Sequence, residues 1–171
     1  MDIYMAVVRI IHIFGGVFWL GTVWMTAVFL GPAAEAIGSD AEKFMSYITV
    51  KLRYPTYVAI AAGSNVLAGI LLYWHDSAGL QLVWITTPTG LGFSFGALCA
   101  LTGFILGLGS VKPTAEKLAR IGKELHAAGG PPSSEQLANF HQVQKQLERG
   151  EIIVAAVLGL ALLGMATARY L

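Results

Sequence analysis

Arg9 and His12 stand inside a long apolar run near the start of a 171-residue chain. Ionisable groups among lipid-facing neighbours are costly, so they are the first candidates for function. The two stand three positions apart, which puts them on one helix face, and Gly15 and Gly16 follow one turn deeper. That face offers a guanidinium, an imidazole and a strip of bare backbone. Imidazole ligates iron, guanidinium pairs with carboxylate, and glycine admits a flat ring, so the set suits a haem with His12 on iron and Arg9 on a propionate.

His75 closes the second apolar run. In an antiparallel pair of spans it returns to the level of His12 within about one helical turn, so bis-histidine ligation is expected, which favours electron transfer. Leu71, Ala68, Ser64 and Ala61 continue its face as a small-residue strip. Copper is a rival use of the same residues. Met5, seven before His12, adds a thioether, and Met5, His12 and His75 form a reasonable Cu(I) set. His126 and His141 fall in a polar connection and read as solvated. Arg53 and Glu151 open the second and fourth runs at one level, where they are expected to form a desolvated structural pair. The chain carries no Ser-His-Asp arrangement, phosphate loop or zinc spacing, and its lone Cys99 excludes an internal disulfide.

The elements that must position these residues follow from composition. Apolar residues make up 56% and charged residues 12% of the chain, and the mean hydropathy is +0.65. Lipid is the solvent such a chain expects, which excludes a soluble enzyme or disulfide scaffold. A net charge of +1 offers no basic surface for nucleic acid. Four stretches are long enough to span: residues 10–31, 55–75, 89–111 and 152–171. The expected fold is all-α, an integral membrane four-helix bundle forming one domain over residues 1–171. Gly92 and Gly96, Gly103 and Gly107, and Gly15, Gly16 and Gly21 permit close helix approach, and such faces also allow a homodimer.

Nine of the eleven Lys and Arg residues lie between spans one and two (Lys43, Lys51, Arg53) or three and four (Lys112, Lys117, Arg120, Lys123, Lys145, Arg149). The positive-inside rule then places both termini outside. Tyr73, Trp74 and Trp84 form an outer aromatic belt, with Tyr54 and Tyr57 at the inner boundary. Ser39-Asp40-Ala41-Glu42 reads as a helix start. Phe44, Ile48 and Leu52 follow at helical spacing, predicting an amphipathic inner-surface helix. Residues 112–150 break at Gly129-Gly130-Pro131-Pro132, and Ser133 with Gln136 makes a capping box. Leu118, Ile121 and Leu125 face Phe140, Val143 and Leu147, so spans three and four extend as a cytoplasmic helical hairpin. That hairpin gives a third reading, a non-catalytic membrane subunit or assembly factor that docks a partner.

His12, then Trp19, Gly21 and a closing Pro32, resembles the first helix of the copper resistance protein D (CopD-like) membrane family. Arg53, a Gly69-Ile-Leu-Leu ending to the second span, and Glu151 continue the resemblance over most of the chain. The first helix also resembles HemJ-type four-helix proteins associated with haem b. Both families usually carry a lysine inside the third span, and residues 86–111 contain none. The resemblance implies a bundle in a bacterial inner membrane, with His12 as haem or metal ligand and Trp19 beside the cofactor. Quinol arriving through lipid is the expected donor, and an external redox protein the expected partner.

Overall fold

The structure, a computed structural model, describes residues 3–38, 41–128 and 130–171, of Glu42 the backbone alone. Ser39, Asp40 and Gly129, parts of the expected helix start and chain break, lie outside the described residues. Helices α1 (Ile3–Met25), α2 (Gly31–Ile37), α3 (Ala41–Ser46), α4 (Tyr54–Asp76), α5 (Leu82–Ile85), α6 (Pro88–Leu106), α7 (Lys112–Ala127) and α8 (Ser134–Thr167) account for most of it. No strand occurs among the described residues. Four continuous helical segments, Ile3–Ile37, Tyr54–Asp76, Pro88–Ala127 and Ser134–Tyr170, are long and apolar enough to cross a membrane. Phe14, Leu67, Ile105 and Leu163 stand exposed on them, as lipid contact requires.

The first segment runs past the end expected at residue 31, because Pro32 does not stop it. A π-helical turn, Thr26–Leu30, precedes α2, and the Gly31 N–H reaches back to the Thr26 carbonyl. The widened turn accommodates a ring that would otherwise strike the carbonyl four residues earlier. A second π turn, Gly107–Val111, precedes Pro113 in the same way and carries α6 into α7. A third, Tyr47–Lys51, ends shortly before Pro55. At Pro32 and Pro113 the proline marks where a continuous helix changes pitch.

The helices pack as two close pairs, α1 with α4 and α6 with α8, joined by fewer contacts of α1 with α8 and of α4 with α6. The α6–α8 seam is built on glycine. A β-carbon at Gly92 would stand 2.9 Å from the Ala168 Cβ, one at Gly96 3.1 Å from the Ala161 carbonyl, and one at Gly103 2.8 Å from Leu158. Gly107 and Gly21 face open space, so the expected close approach holds for only part of the glycine set. Trp19, Ala62, Val154 and Leu158 form the buried core joining the pairs, with Phe104 edge-on to Trp19 at 6.2 Å. The Trp24 Nε1–H donates to the Ala155 carbonyl at 2.9 Å, tying α1 to α8 beside Gly159.

At one end of the bundle α7 folds against the first part of α8, with Ile121 and Val143 buried between them. The Ser133 hydroxyl accepts from the Gln136 N–H while Gln136 accepts from the Ser133 N–H, the capping box read from sequence. At the other end Tyr73 bonds Ser94 at 2.6 Å and meets Trp84 edge-on. A tight turn follows, in which Ala78, Gly79 and Leu80 all have positive φ.

Candidate functional site

The α1–α4 pair holds the candidate site at His12. The imidazole Nδ1 lies 2.9 Å from the main-chain oxygen of Asn65, and the Asn65 Nδ2 donates to the main-chain oxygen of His12 at 2.7 Å. Each side chain thus reaches the other helix's backbone. Nδ1 must carry a proton to bond a carbonyl, and its 3.2 Å contact with Asn65 Nδ2 is then only proximity. The second ring nitrogen, Nε2, keeps its lone pair and makes no hydrogen bond among the described residues. His12 is half-buried, while Asn65 is 6% exposed.

Glycines make this approach possible. A β-carbon at Gly16 would sit 2.7 Å from Asn65 Nδ2, and one at Gly69 would sit 2.9 Å from His12 Cε1. Gly15 faces α4 too, 3.1 Å from the Ala61 carbonyl and 3.2 Å from the Ser64 hydroxyl. Gly15 and Gly16, read from sequence as a bare strip for a flat ring, are therefore spent on helix contact. Trp19 is likewise in the core, packed against Phe104.

Arg9 is exposed one turn from His12 towards the loop end, about 4.5 Å along the axis. Met5 is half-buried a further turn away. His75 does not join His12. The register set by Asn65 and Gly69 leaves His75 six residues further along α4, about 9 Å higher and rotated by roughly 120°. There it is exposed and pairs with Asp76, Nδ1 to Oδ1 at 3.1 Å. The described residues contain no group of three or more His, Cys, Asp or Glu arranged to hold a metal.

The Arg53–Glu151 pair is not formed among the described residues. Arg53 takes a left-handed conformation, φ 52, in the turn before α4, and its side chain is exposed. Glu151 is half-buried instead, its Oε2 3.9 Å from where a β-carbon of Gly31 would be. Nearby, the Tyr54 hydroxyl bonds Thr26 and donates to the Thr22 carbonyl at 3.1 Å, closing the α1–α4 pair at the hairpin end.

Asn65 and Gly69 are the residues that reasoning from sequence missed as partners of His12. An asparagine inside an apolar span was the available signal, because a buried amide must find partners. One protein nitrogen, His12 Nε2, has the chemistry to ligate a haem iron, and the exposed Arg9 one turn away has the charge to pair with a carboxylate. No family model, curated protein or solved structure matches the chain.

Proposed function

We propose that the protein is an integral membrane haem-b protein that transfers electrons, with His12 Nε2 as the ligand to iron. One observation carries this reading: Nδ1 lies 2.9 Å from a main-chain carbonyl, a bond that requires the proton on Nδ1 and so leaves the lone pair to Nε2, as in histidines that ligate metals. The resemblance of the first helix to CopD-like and HemJ-type proteins supports it. Bound haem supplies one-electron exchange.

The chain's own residues provide the setting. His12 is held in a fixed orientation by α4, and Arg9 offers a fixed positive charge for a propionate. The surrounding apolar helix surface excludes water and lets a quinol approach through lipid, with an external redox protein as the other partner. The distribution of Lys and Arg orients the chain with both termini outside a bacterial inner membrane and the α7–α8 hairpin inside. The site then belongs to the outer half of the bilayer.

The test is an absorption spectrum of detergent-purified protein made with ample haem, before and after dithionite, with a pyridine haemochrome to identify and count the group. A b-type haem that is lost in His12→Ala is the expected result. A featureless wild-type spectrum, or full haem in His12→Ala, overturns the reading. Stoichiometric copper bound through Met5 and His12, or a partner released by deleting the hairpin, would then identify the protein as a copper carrier or a membrane subunit.

A further inference from the structure

A buried amide in a membrane span has few partners, and the Asn65 amide donates to the main-chain oxygen of His12. Its geometry requires two glycines. In a helix the side chain four residues on leans back over a carbonyl, so the Asn65 carbonyl is open to a neighbour only because residue 69 is Gly. The His12 carbonyl is open in the same way because residue 16 is Gly. β-Carbons at these positions would fall 3.2 Å from His12 Nδ1 and 2.7 Å from Asn65 Nδ2, inside the space the two bonds use.

We infer that Asn65, seated between Gly16 and Gly69, is the positioning residue of His12. Its main-chain oxygen holds Nδ1–H, its amide fixes the height of α1 against α4, and Nε2 is left as the nitrogen that carries the lone pair. The consequence for haem rests on the proposed function; the tautomer and orientation of the ring do not. A second-sphere group that sets the donor atom also sets how tightly a metal is held.

Magnetic resonance of the ring nitrogens in haem-free, histidine-labelled protein reads the tautomer directly. The chain has four histidines, and the His12 signal is the one missing from His12→Ala. The expected wild-type signal is a protonated, hydrogen-bonded Nδ1 and a bare Nε2. Gly69→Ala should displace the ring, abolish that signature and weaken haem retention on the order of 10–100-fold. Gly63→Ala, where a β-carbon meets nothing within 4 Å, should change neither.

Asn65→Leu keeps the main-chain oxygen but removes the amide, and a shifted Nδ1 signal is expected there whether or not Gly69→Ala folds. A wild-type His12 protonated on Nε2, or an Nδ1 signal unmoved in Asn65→Leu, overturns the positioning role. A protonated Nδ1 in a protein that takes up no haem confirms the positioning and overturns the haem reading alone.

Discussion

His12 and Asn65 each bond the other's main chain, at 2.9 and 2.7 Å, and each does so beside a glycine four residues beyond the carbonyl it uses. The bonds share one pair of residues, so their energies should be coupled. Interhelical hydrogen bonds in membranes contribute about 0.6 kcal/mol each, so His12→Ala and Asn65→Leu should each destabilise the bundle by at least that much. The double variant should cost less than the sum. Unfolding in mixed detergent measures all three, and strict additivity would show that the two side chains do not act together.

The α6–α8 seam makes a different demand. Gly92→Ala places a methyl group 3.0 Å from the Ala168 Cα, and Gly96→Ala places one 3.1 Å from the Ala161 carbonyl, so backbone must move in both. Each should lose about 1–3 kcal/mol, as overpacked cores do. Gly107→Ala meets nothing within 4 Å and removes a flexible residue from a helix, so it should be neutral or stabilising by up to about 1 kcal/mol. The same unfolding assay separates the two classes.

These contrasts show which features were legible in the sequence. Spans, the hairpin seam and the Ser133–Gln136 cap depend on local patterns, and residue spacing alone carries them. The π turns before Pro32 and Pro113 were hidden, because a proline reads as a stop unless the preceding turn can widen. His12 stood out as an ionisable residue in an apolar run. Its partner did not, because the register of α1 on α4 is set by contacts 53 residues apart. The same register moves His75 off the His12 face. For Arg53 and Glu151, equal depth was legible but direction was not: the left-handed turn at Arg53 points its side chain outward.

Arg53 and Glu151 therefore yield a prediction opposite to that for His12 and Asn65. No ion pair joins them, so Arg53→Ala and Glu151→Gln should combine additively to within about 0.3–0.5 kcal/mol. A coupling well above that range would show a pair that forms in the membrane. Tyr54→Phe, which removes the bonds to Thr26 and to the Thr22 carbonyl, should by contrast weaken the α1–α4 pair by about 1 kcal/mol.

Orientation decides which side of the membrane the site serves. Gln81 in the loop between α4 and α6, and Ser134 at the start of α8, are both exposed and lie at opposite ends of the bundle. In a Cys99→Ser background, Gln81→Cys should react with an impermeant thiol reagent in intact cells, whereas Ser134→Cys should react only after the membrane is opened. The positive-inside rule, applied to the Lys and Arg distribution, predicts this result. The reverse pattern would bring Arg9 and His12 to the inner half of the bilayer, and an electron partner would have to be sought on the cytoplasmic side.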